Sequence, residues 1–125
     1  MSVQNDIYAR LSAYAGLTAL VSTKIYPLTM PQDIELPYVT YSIISDVPEH
    51  AMGADPNIRT IRIQVSCWAD TYDEAKAIEV QVKAALSRYR SGNFKDVFFD
   101  SSLDLYDGEE GVYHVPCDFL VFYYE

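Results

Sequence analysis

The chain has 125 residues, half of them hydrophobic, with nine Lys and Arg against eighteen Asp and Glu, for a net charge of −9. This predicts one globular domain over residues 1–125 with a core of its own, and it argues against specific duplex binding, which needs a basic patch. No apolar run approaches the roughly 20 residues of a membrane span, and Met1 to Arg10 lacks the basic-then-apolar pattern of a signal peptide, so synthesis in the cytoplasm is expected.

The first predicted element is a helix from Val3 to Ala15. Val3, Ile7, Leu11 and Tyr14 with Ala15 repeat at helical spacing, and Gly16 offers a C-terminal stop. Leu17 to Val21 forms a second short turn on the same core. Ile25-Tyr26-Pro27 reads as a short extended piece. Pro27, Pro31 and Pro37 bracket irregular chain, because each proline biases its predecessor away from helix. Tyr38 to Ser45 alternates as a strand, with Val39, Tyr41 and Ile43 on one face. Asp46 to Asn57, with Pro48, Gly53 and Pro56, is a loop of about twelve residues. Loops of that length in compact domains are either working surfaces or mobile tips without a role.

The middle of the chain changes period at one point. Ile61, Ile63, Val65 and Cys67 alternate with Arg62, Gln64, Ser66 and Trp68, which predicts a strand over Ile58 to Trp68, antiparallel to Tyr38–Ser45. Thr71 and Glu74 then have capping-box spacing. Ala75, Ile78, Val82, Ala85, Leu86 and Tyr89 share one helical face, predicting a helix to about Arg90. Asp73, Glu74 and Glu79 near its start and Lys83, Arg88 and Arg90 near its end suit the helix dipole. Val97 to Asp100 and Leu103 to Tyr106 read as strand, Asp107 to Gly111 as a glycine-bearing turn, and Val112 to Tyr124 as the final strand. Pro116 has no amide to donate, which predicts an edge or bulge there. The expected fold is α+β: a two-layer sandwich of a mostly antiparallel sheet with two helices on one face.

Little chemistry is visible. The five glycines are not spaced as a phosphate loop, and there is no Gly-x-Ser-x-Gly elbow. Cys67 and Cys117 fall on apolar strand faces and read as core residues. His50 and His114 provide no zinc-like ligand set and read as surface residues. Asp104, Asp107, Glu109 and Glu110 form a solvated turn that does not match a calcium loop. No catalytic, cofactor-binding or metal-binding residue is therefore predicted, and no cofactor. Eleven tyrosines suit either strands or protein interfaces, and composition does not separate the two. Trp68, opposite Cys67, packs under a helix or at a subunit contact.

Several segments in order carry a resemblance: Leu17-Thr18-Ala19-Leu20, Ile25-Tyr26-Pro27, Leu36-Pro37-Tyr38-Val39, Gly53, the alternating strand from Ile63 through Cys67, Trp68 and Ala69, and Thr71-Tyr72-Asp73-Glu74-Ala75. Gly111-Val112-Tyr113-His114 and Asp118-Phe119 complete it. Together they resemble the phage tail-completion proteins, also called tail-terminator or head-to-tail joining proteins, of long-tailed bacteriophages and prophages. The resemblance implies a non-enzymatic virion protein at the tail–head junction, made in the bacterial host cytoplasm. It implies a homo-oligomeric ring, hexameric on the tail, that stops tube polymerisation, with the tail tube protein and the head connector protein as partners and no membrane. DNA would pass through the lumen without specific binding. By the same carry-over the loop with Asp46, Glu49, His50, Met52 and Asp55 would face the lumen or a neighbouring ring. Its acidity, like the net charge, repels DNA or simply keeps the chain soluble. Tyr38, Trp68, Tyr123 and Tyr124 are candidate subunit-interface residues. The alternatives are another neck or head-completion protein, or a small-molecule binding module.

Overall fold

The computed structural model describes residues 3–28, 35–48 and 58–124. It is an α+β fold with three helices and six strands: α1 (Val3–Ala13), α2 (Ala15–Val21), β1 (Ile25–Pro27), β2 (Tyr38–Pro48), β3 (Ile58–Ala69), α3 (Tyr72–Leu86), β4 (Phe94–Ser102), β5 (Leu105–Asp107) and β6 (Val112–Tyr124). The sheet order is β1-β2-β3-β6-β4, with β5 also on β6. Among the described strands only β1 runs parallel to its neighbour.

Two helices were expected and three are found. The chain breaks at Tyr14, which is extended (φ −84°, ψ 109°) and caps α2. This re-aims the next turn, so Leu17 and Val21 reach the core already filled by Val3, Ile7 and Leu11. Gly16 does not stop α1; it lies in the first turn of α2. A Cβ there would meet the end of the flexible Gln81 side chain of α3, which would have to move aside.

The antiparallel pairing of β2 with β3 is as predicted, in the register Val39↔Cys67 and Tyr41↔Val65. β2 continues past Ser45 to Pro48 after a bulge between Ile43 and Ser45 that turns Ile44 out to solvent. β3 and β6 pair from Ile58↔Tyr124 to Ala69↔Tyr113 and form the centre of the sheet. Their inward residues, including Ile61, Val65, Cys67, Val115, Cys117, Phe119 and Val121, meet Ala75, Ile78, Val82 and Leu86 of α3 in one core. Both cysteines are buried and unbridged.

Pro116 lies in neither an edge strand nor a bulge of the β3–β6 ladder. It sits where β4, paired as far as Cys117, gives way to β5, which begins at His114. The missing amide falls beside a gap between two short strands.

α3 starts as its sequence predicts. Glu74 N–H donates to Thr71 Oγ1 at 3.2 Å. Thr71→Ala is expected to cost about 1 kcal/mol, read as a lower urea midpoint at unchanged slope. The helix ends at Leu86, short of Arg90. Arg88 takes a left-handed conformation (φ 58°) and donates its N–H to Val97 O at 2.6 Å. Arg88 and Arg90 therefore leave the helix dipole to Lys83 and turn to Asp96 on β4.

Candidate assembly surface

Alternation along β3 and β6 gives the sheet a second face that carries no helix among the described residues. Trp68 lies there, which resolves its two expected placements against the helical side. At one end of this face Trp68 stacks on His114 (centroids 3.7 Å apart, 8° between planes) and on Tyr38 (5.8 Å, 23°). Trp68 Nε1 donates to Thr40 Oγ1 at 3.0 Å and fixes the indole. His114 is thus part of a stack rather than an ordinary surface residue. Burial lowers its pKa, and among the described residues its Nε2 has no hydrogen-bond partner. Burial raises the pKa of the Tyr38 hydroxyl, and the charge of Glu110 raises it further. Trp68, Leu105, Tyr106, Asp107, Glu109 and His114 line an open cleft of about 630 Å³ beside the stack.

The other predicted interface residues separate. Tyr124 is half-buried at the far end of β6. Tyr123 does not present its ring at a surface: it is 3 % exposed, packs on Phe94 at 5.4 Å and donates its hydroxyl to Asp6 of α1. Core-facing alternation places it there, and it ties β6 to the first helix. Asp46 is not in a loop but in β2, where Arg59 of β3 holds it through Nε at 2.9 Å and through a second contact from Nη2. Glu49, His50, Met52 and Asp55 lie outside the described residues.

Charge is distributed unevenly along the strands, a feature the linear sequence conceals. At the Trp68 end, Asp70, Asp73, Glu74, Asp107, Glu109 and Glu110 form no ion pair among the described residues. Asp107 instead accepts the Glu109 and Glu110 N–H groups and shapes the turn. At the opposite end, Arg88 and Arg90 share the Asp96 carboxylate, both at 2.9 Å. The Arg88 hydrogen bonds first, then Arg90 and the Val97 amide, hold the Asp96 carboxyl far below the usual carboxylate range against the cost of its desolvation. Lys95 beside them is exposed.

Among the described residues no cluster of His, Cys, Asp and Glu is placed to hold a metal ion, and no helix is long and apolar enough to cross a membrane. The described residues form an α+β module whose open sheet face is aromatic at one end and carries acidic and basic groups at opposite ends. The chain belongs to the tail completion protein gp17 family, whose match covers residues 5–124. It is thereby a structural protein of the phage tail. A chain of the virion of a native gene transfer agent particle has a similar fold (TM-score 0.79, 21 % identity), over 99 % of this chain and 96 % of that one. No curated protein sequence gives a significant match.

Proposed function

We propose that the chain is a non-enzymatic, single-domain ring protein of the virion. It caps the finished tail tube, stops its polymerisation and joins it to the head connector at the tail–head junction. The observation that carries this reading is the family match across residues 5–124. The similar chain from a gene transfer agent virion supports it further. A sheet face that carries no helix among the described residues and ends in opposite charges suits a body that works through contacts. A hexameric ring is the form we propose on the tail, and DNA crosses its lumen without specific binding. The net charge of −9 favours free passage, because like charges repel.

The test is to co-express the chain with the tail tube protein of the same particle and to image the tubes by electron microscopy. Tubes ending in a ring of this protein, and no longer growing, are the expected result. Tubes of unlimited length with no bound chain overturn the reading.

A further inference from the structure

We infer that neighbouring copies meet end to end: the aromatic cleft of one copy, rimmed by Asp107, Glu109 and Glu110, receives the corner of Arg88, Arg90 and Lys95 of the next. This rests on the ring reading and names the two surfaces that build the ring.

The corner is a positive spot on a strongly acidic chain, because two arginines share one carboxylate and Lys95 lies beside them. Pairing with Asp96 does not bury the cations: the Arg88 and Arg90 side chains are 57 % and 60 % exposed. Arg88 also lies over the exposed Phe98 ring at 4.7 Å, and Phe98 meets Phe122 edge-on at 5.7 Å. The corner therefore offers guanidinium, ammonium and aromatic surface together.

The cleft is its complement. Its carboxylates form no ion pair among the described residues, the stacked Trp68 and His114 line it, and Leu105 and Tyr106 are exposed beside it. A cation entering it would meet the exposed Tyr106 ring and carboxylates together, and cation–π attraction strengthens when water is excluded. Trp, Tyr and Arg are the residue types that carry most binding energy at protein interfaces. The occupant is a second copy because the matching charge lies on this same chain.

The two patches lie at opposite ends of β6. Asp107 pairs with Val112, and Phe94 pairs with Tyr123. Thirteen residues of strand span about 40 Å, so one copy cannot satisfy its own patches. A contact between two different patches is heterologous, and it closes into a ring when the rotation between copies is right.

The experiment uses two charge-reversal variants assembled on tail tubes. One carries Glu109→Lys with Glu110→Lys; the other carries Arg90→Glu with Lys95→Glu. Each alone should lose the ring, because like charges then face each other. An equimolar mixture should regain it, with the variants alternating, and so should one chain carrying all four changes. Wild-type rings should also dissociate as salt rises from about 0.1 M to about 1 M, where the screening length falls from about 10 Å to about 3 Å; this measurement needs no variant to fold. If either variant assembles alone, if the mixture of folded variants fails, or if wild-type rings ignore salt, the inference is overturned while the ring reading stands. If wild-type protein forms no ring on tubes, both fall.

Discussion

Phe119→Ala is expected to lower the unfolding free energy by about 3–5 kcal/mol, a large part of the roughly 5–15 kcal/mol that holds a domain together. Phe119 is among the largest fully buried side chains and sits in the middle of β6. It pairs across the sheet with Ile63 on one side and Phe99 on the other, and its ring meets Phe99 at 5.5 Å. Truncation removes the packing of three strands at once and leaves a void that their hydrogen-bond ladders cannot close. A urea titration should show a much lower midpoint at unchanged slope. Phe119→Leu, which keeps most of the volume, should cost well under half as much. Equal losses for the two variants would show that the site is not tightly packed.

The second large effect is expected at Glu79. It lies on the sheet-facing side of α3, 3 % exposed, within 4.0 Å of Cys117 Sγ. Lys76 at 2.7 Å and Lys83 at 3.6 Å reach over it from the helix, and Lys76 also holds Asp104 at 3.0 Å. Burial pushes the Glu79 carboxyl up, but hydrogen bonds from Lys76 and Ser102 and the charges of the two lysines outweigh it, so its pKa is lowered. Glu79→Ala is expected to cost about 2 kcal/mol. This is less than for a fully buried pair, because both lysines are about one-third exposed and return to water. The sign with pH follows from the lowered pKa. The contribution is complete above the unfolded carboxyl value of about 4.3 and is lost as pH falls through the lower folded value. Thermal melts of wild type and Glu79→Gln should therefore converge as the medium is acidified below about pH 4.

Much of the sheet was legible because its residues alternate over long runs. Ile61 to Cys67 could bury only one face, and the switch at Thr71 announced a helix that the structure contains. Helix ends were less legible. Nothing in the pattern of Tyr14 or Arg88 says that the chain will turn there; the breaks are set by what the next segment must reach, the core for Leu17 and Asp96 for Arg88. The tyrosines show why composition left two explanations open, since both hold at different positions. Tyr41 and Tyr123 are core residues, while Tyr8 and Tyr106 are exposed. The candidate surface was half legible. Strand parity put Trp68 opposite Cys67, but its stacking on His114 needs β6 beside β3, forty-six residues apart in sequence by these two positions. The separation of charge was not legible, because Asp70 and Glu109 come to the same end of the sheet only through that same pairing.

The strand that lies between β3 and β4 in the sheet, β6, is also the last of those described to be made. On the ribosome β3 and β4 are complete while the strand that belongs between them is still missing. Each then exposes a row of unpaired amides and carbonyls, the template on which sticky intermediates grow. The sheet closes by insertion rather than by adding strands outward, and long-range pairing of this kind is slow to find. A nascent copy is therefore exposed to its siblings before its own body is complete, and the acidic residues along its length help to keep those copies apart.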